Sequence, residues 1–166
     1  GIVGMGRVGR AVASRAAAFG CPISYTDLQP MSDVPYTFVA DLKALAADSD
    51  ALILAAAADN AHAIIDARVL QALGKGGYLI NVARGKLVNE ADLVAALAAG
   101  DIAGAGLDVF VDEPNVPEAL FAHENVVLQP HRASATLQTR TRMGEMVVAS
   151  LVDSFAGKVP QGCVTG

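Results

Sequence analysis

Apolar positions along the chain alternate between two rhythms. Short, nearly unbroken apolar runs recur at 1–3, 23–26, 37–40, 51–55, 78–82, 106–110 and 126–128, the length and composition of strands buried on both faces. Between them, residues 7–19, 42–47, 63–73, 90–99 and 135–156 carry helical spacing, and Gly20, Gly74, Gly100 and Gly157 follow four of these segments directly, where a left-handed cap is easiest. Asn89 is placed to cap the helix that begins at Glu90, and Asp92 puts charge near its positive end. Strands alternating with helices predict parallel strands joined by right-handed crossovers, hence a doubly wound α/β sheet in three layers, αβα. No repeat, linker or low-complexity tract interrupts residues 1–166, which predicts one domain.

Composition narrows the function. Hydrophobic residues make up 53% of the 166 positions and charged residues 17%, enough for a chain of this length to bury roughly two-thirds of its unfolded surface without disulfides or metal. Cys21 and Cys163, the two cysteines, make no disulfide framework, and neither carries a nucleophile motif; Cys21 is expected to pack as a small hydrophobe. Together with the lack of a charged-plus-apolar leader, they predict a reducing, cytoplasmic setting. No apolar run reaches membrane-spanning length. Twelve Lys and Arg against seventeen Asp and Glu give a formal charge of −5, which disfavours a nucleic-acid partner.

Chemistry enters first at Gly4-Met5-Gly6-Arg7-Val8-Gly9. Its G-x-G-x-x-G spacing lies between a predicted strand and a predicted helix, the context of a dinucleotide-binding (Rossmann) turn. Gly4 would permit the turn, Gly6 the approach of a pyrophosphate, and Gly9 the close packing of helix on strand, with the N–H groups of Arg7 and Val8 facing the anion. Three glycines can also make nothing more than a tight turn. Asp27 follows the second strand at about the ~20-residue distance where a carboxylate accepts ribose hydroxyls. A 2′-phosphate would meet its charge, and Leu28, Gln29 and Pro30 provide no arginine to offset it, so NAD is favoured over NADP. Alternatively, Asp27 is a turn aspartate.

Three later strands deliver polar groups at their carboxyl ends, the edge where open α/β sheets bind ligands. The run at 78–82 leads into Ala83-Arg84-Gly85, the run at 106–110 contains Asp108 and leads to Asp112-Glu113-Pro114, and the run at 126–128 leads to Gln129-Pro130-His131. Arg binds carboxylates with a two-pronged fork, His moves protons near neutrality, and Glu can hold an imidazolium. Singly, a loop Arg, a Glu before Pro or a lone His is more often structural than functional. Convergence at one sheet edge is what singles out Arg84, Glu113 and His131. His62 and His123 lack such a setting and read as surface residues, and no metal-ligand spacing is present.

Four ordered stretches, GIVGMGRVG, NVARG, AGLDVFVDEP and NVVLQPH followed by ASAT, resemble the cofactor domain of the D-isomer-specific 2-hydroxyacid dehydrogenase family over essentially the whole chain. Within that family, FGCPISY and VPEALFAHENVVLQPH are most similar to glyoxylate/hydroxypyruvate and hydroxyphenylpyruvate reductases. The resemblance implies hydride transfer between NAD(H) and a small 2-oxo or 2-hydroxy acid. It assigns the substrate carboxylate and carbonyl to Arg84, the proton to His131, and the support of His131 to Glu113. Asp108 would hold the nicotinamide carboxamide, Ala83, Arg84 and His131 would lie beside the nicotinamide, and Arg7 and Val8 would contact the pyrophosphate. Similar formate dehydrogenases carry Gln where this chain has Glu113, which favours proton-coupled chemistry here.

Several positions depart from the family pattern. Ala56-Ala57-Ala58-Asp59-Asn60 stands where a Pro-Leu-Thr-like loop is usual, Leu28 where NADP-dependent members often have Arg, and Arg132 where an apolar residue is usual. Arg132 either adds positive charge near the substrate or faces solvent, and the second is expected. The family builds its substrate domain from segments flanking the cofactor domain, so the resemblance implies that residues 1–166 are the cofactor half alone, weak in NADH binding and poor in turnover by itself. It also implies a homodimer paired through the cofactor domain. The alternatives are a phosphoglycerate dehydrogenase-like enzyme of the same family, or a non-catalytic, NAD(H)-sensing corepressor-type dimerisation module.

Overall fold

A computed structural model describes residues 1–57 and 62–163. Residues Gly1–His131 and Arg132–Gly166 form two compact units. Among its described residues the first contains seven strands, β1 (Ile2–Val3), β2 (Ser24–Thr26), β3 (Thr37–Phe38), β4 (Ala51–Leu54), β5 (Tyr78–Asn81), β6 (Gly104–Leu107) and β7 (Val126–Leu128), and four α-helices, α1 (Arg7–Ala18), α2 (Leu42–Ala47), α3 (Ala67–Leu73) and α4 (Glu90–Ala99). All strand pairings are parallel, in the order β3-β2-β1-β4-β5-β6-β7. This is the doubly wound Rossmann-like sheet that the alternation predicts. The order reverses between β1 and β4, and the carboxyl edge at such a reversal is where this architecture binds ligands.

Burial explains why the strands are so apolar. Ile2 and Val3, neighbours that point to opposite faces, are both buried, as are Leu52 and Leu54 of β4 and Leu79 of β5. Each leucine so removed from water contributes about 1.5–3 kcal/mol. One core cluster joins β4–β6 to α2–α4, and a smaller one joins Ile2 and Met5 to Ala13 of α1 and Tyr25 of β2. Tyr25 meets Phe38 edge to face, with ring centroids 5.5 Å apart.

Helix ends follow the sequence to within two residues except at the start of α3. Asn89 caps α4, its Oδ1 accepting from the N–H groups of Ala91 and Asp92 at 3.1 and 3.2 Å, and Gly100 closes the helix in the left-handed region at φ 68°. The helix expected over 63–73 begins only at Ala67. Residues before it run extended instead, with Ile65 bridged in parallel to Val88 and the N–H groups of Ile64 and Ile65 donating to Leu87 O. Asp66 then caps α3 through the N–H groups of Arg68 and Val69, both at 3.0 Å.

The sixth strand also shifts, from the expected 106–110 to Gly104–Leu107. A side chain at Gly104 would strike the carbonyl of Asn125, so the strand starts with a residue that reads as a turn but is required by close packing. Cys21, expected to be packed, is exposed, because α1 ends at Ala18, is capped by Phe19, and the chain leaves it over the surface through Gly20.

The second unit carries one long helix, α5 (Leu137–Phe155), capped by Thr136 Oγ1, which accepts from Thr139 N–H at 3.2 Å. Met143, Met146, Val147 and Leu151 are exposed along it. Among the described residues no helix is long and apolar enough to cross a membrane, and no cluster of His, Cys, Asp and Glu is set to hold a metal.

Candidate functional site

The first unit presents its polar groups along the carboxyl edge of the sheet in two stretches. At the β1 end, Gly4 adopts φ 92°, and a Cβ there would lie 2.5 Å from the Ala56 backbone. A Cβ on Gly9 would strike the Gly4 carbonyl, so α1 can pack on β1 only without one. Gly6 faces open space. These three glycines open a groove of 550 Å³ lined by Gly4 and Gly6 after β1, Asp27, Leu28 and Met31 after β2, Ala55, Ala56 and Ala57 after β4, and Ile64 and Leu87 beyond. Arg7 and Val8, exposed, begin α1, whose first N–H groups lack helical partners and favour an anion. Ala58, Asp59 and Asn60, where the family loop is replaced, lie outside the described residues.

Asp27 sits at the mouth of this turn. Its Oδ2 accepts from Met5 N–H and its Oδ1 from Leu28 N–H, each at 2.7 Å. The carboxylate is thereby oriented, and each oxygen retains acceptor capacity for a hydroxyl.

At the β5–β7 end, Asn81 organises the turn that carries Arg84. Buried at the end of β5, it accepts from Ala83 N–H through Oδ1 at 3.0 Å and donates through Nδ2 to Arg84 O at 3.0 Å. Ala83 is buried and the Arg84 side chain exposed, with Nη1 donating to Ala83 O at 2.7 Å. Asp108, just past β6, is buried, and its N–H donates to Asn81 O at 3.0 Å. Sequence reading passes over Asn81. The available signal is a polar residue closing an apolar run, since a buried amide must satisfy both its donor and its acceptor.

Glu113 and His131 come together. Oε2 of Glu113 lies 2.7 Å from Nδ1 of His131, and Oε1 accepts from Phe110 N–H at 3.0 Å. The loop between is fixed again by Glu90, whose Oε1 accepts from Val111 N–H at 2.8 Å. His131 takes φ 49°, the left-handed region that non-glycine residues enter infrequently. Its N–H donates to Gln129 O at 3.1 Å. The hydrogen bond from His131 is the foremost cause holding the Glu113 carboxyl below the usual carboxylate range, followed by the Phe110 N–H; the charges of His131 and Arg84 act in the same direction. Glu113 is therefore ionised at neutral pH, and Arg84 is near enough to share its field. The remaining histidines contribute nothing here: His62 is exposed and His123 half-buried. Arg132 is exposed, as expected.

Residues 1–133 match the sequence profile of the D-isomer specific 2-hydroxyacid dehydrogenase NAD-binding domain. The chain belongs to this family. A hydroxyphenylpyruvate reductase of Plectranthus scutellarioides is 49% identical over 160 residues, covering 95% of this chain and 51% of the relative. The glyoxylate/hydroxypyruvate reductase A of Arabidopsis thaliana is 46% identical over 159 residues, covering 95% and 51%. An NADPH-dependent glyoxylate/hydroxypyruvate reductase of Sinorhizobium meliloti, solved with NADP and malonate, superimposes with a TM-score of 0.88 at 46% identity, over 93% of this chain and 49% of that one. The chain thus spans about half the length of the relatives it matches. Like other members of this 2-hydroxyacid dehydrogenase family, it carries an NAD(P)-binding domain. The groove fits such a nucleotide: glycine backbone without side chains lies at the start of α1, and the Asp27 carboxylate beside it is oriented by a backbone N–H.

Proposed function

We propose that residues 1–166 form the dinucleotide-binding half of an NADH-dependent reductase of small 2-oxo acids, glyoxylate or hydroxypyruvate, with the substrate domain supplied by other residues. The observation that carries the reading is the 2.7 Å Glu113–His131 pair on the same sheet edge as the glycine groove. When bound, the dihydronicotinamide supplies the hydride that goes to the carbonyl carbon of the acid. Arg84 grips the substrate carboxylate and carbonyl with its guanidinium fork. Glu113 accepts from Nδ1 of His131, which fixes the imidazole and leaves Nε2 to give its proton to the carbonyl oxygen. Gly4, Gly6 and Gly9, with the N–H groups of Arg7 and Val8, hold the pyrophosphate. Ala83 and Asp108, together with Arg84 and His131, border the nicotinamide.

Asp27 favours NADH in this reading. Its carboxylate accepts the ribose hydroxyls and repels a 2′-phosphate, and Leu28 beside it is fully exposed and apolar. The two exposed cysteines, Cys21 and Cys163, suit a reducing cytoplasm. The family resemblance further supports a homodimer paired through the cofactor domain, which sedimentation at several concentrations tests. The function itself is tested by following NADH and NADPH oxidation by the complete protein across a panel of 2-oxo acids. Turnover with glyoxylate or hydroxypyruvate, faster with NADH, is expected; nucleotide binding with no turnover on any acid would instead establish a sensor.

A further inference from the structure

The residue between the first two glycines is held from both sides. Met5, its side chain fully buried, donates its N–H to Asp27 Oδ2 at 2.7 Å and accepts at its carbonyl from Arg10 Nε at 3.1 Å. Arg10 and Asp27 therefore approach opposite ends of a single residue. Nη2 of Arg10 also lies 3.1 Å from Sδ of Met31, which lines the groove together with Asp27 and Leu28. Asp33 closes this arrangement with a two-point pair, Nη1 to Oδ2 and Nη2 to Oδ1, both at 2.9 Å. Nε, Nη1 and Nη2 of Arg10 are thus all engaged, and a cation bordering the ribose end of the groove is neutralised by a carboxylate outside it.

A ribose 2′-phosphate needs a cation at this end of the pocket, and arginine supplies the geometry that phosphate oxygens accept. Arg10 is a long, partly exposed side chain already in contact with a groove-lining residue, so release from Asp33 is what separates it from that task. We propose that Asp33 is a second determinant of cofactor choice: by occupying Arg10 it denies the groove the charge that NADPH requires, while Arg10 braces the Met5 carbonyl of the glycine turn. Asp27 and Asp33 then act by different means, one by direct repulsion and the other by sequestering a counter-charge. This inference rests on the nucleotide-binding reading of the groove.

The test uses Asp33→Asn, which removes the charge while keeping an oxygen acceptor, with Asp33→Ala beside it. The side chain of Asp33 is 69% exposed, so both variants should fold, and circular dichroism checks this. NADH and NADPH are titrated by their own nicotinamide fluorescence. The expected result is an NADPH affinity about tenfold higher relative to NADH than in the wild type. The gain should shrink with added salt and vanish when Arg10→Ala is combined with Asp33→Asn. An unchanged NADPH-to-NADH ratio, or a gain that survives loss of Arg10, overturns the proposal. A wild-type protein that binds neither nucleotide overturns the cofactor reading, and this inference with it.

Discussion

The two ends of the functional edge are built by different means. At β1 the groove is made from absent side chains and backbone: Gly4 at φ 92°, Gly6 facing open space, and a Met5 peptide held from both sides. At β5–β7 the site is made from exposed charged side chains, with Arg84 held by the Asn81 turn and Glu113 and His131 joined across two loops. Backbone sites are set by the path of the chain and suit binding of an invariant group. Side-chain sites can titrate and exchange partners, which suits chemistry. The contrast implies that binding and turnover can be lost separately.

Three changes sharpen that separation. Replacing His131 by Ala should have the largest effect, lowering turnover about 10²–10⁴-fold by removing the proposed proton donor, while NADH affinity measured by fluorescence titration falls far less, because His131 borders only the nicotinamide and the β1 groove is untouched. A parallel loss of binding would place His131 in the groove rather than in the chemistry. Asp27→Ala should loosen NADH about tenfold, the scale of a hydrogen bond to a charged group. NADPH should lose less, since one repulsion disappears, but not nothing, because the Met5 N–H loses its acceptor as well. An equal loss for both nucleotides would reduce Asp27 to a brace.

The smallest effect concerns pH. Glu113 is held below the usual carboxylate range by His131 and the Phe110 N–H, so in the folded protein it releases its proton at lower pH than in the unfolded chain. Its contribution to stability is then fully present above the unfolded value of about 4.3 and is lost as pH falls through the folded value. Thermal stability should therefore fall off more steeply with acidification in the wild type than in Glu113→Gln. Identical acid limbs would mean that the pair does not form in solution.

The same contrast explains what the sequence disclosed. The glycine turn and the Asn89 cap are written locally, and Gly4, Gly9 and Asn89 take the geometry expected of them; Asp27 follows β2 as the sequence places it, but its bond from Met5 N–H is not written locally. Arg84, Glu113 and His131 are visible because three successive strands are each followed by a polar group, and because NVARG, AGLDVFVDEP and NVVLQPH resemble stretches of the family. What escaped notice is held by distant partners. The Ile65–Val88 bridge turns the expected helix start at 63–66 into extended chain, the Glu90 carboxylate reaches Val111, and Arg10 reaches Asp33 across the glycine turn. Cys21 was misplaced for a related reason: apolar character does not bury a side chain that the chain path carries over the surface.

Combining Asp27→Ala with His131→Ala tests the division of labour most directly, with nucleotide affinity and turnover measured on the same preparations of the complete protein. If the β1 end binds and the β5–β7 end reacts, the double variant shows the affinity of Asp27→Ala and the turnover of His131→Ala, each close to its single-variant value. An affinity loss with His131→Ala alone that matches its loss of turnover, or a double variant whose turnover departs strongly from the product of the two single effects, would contradict it.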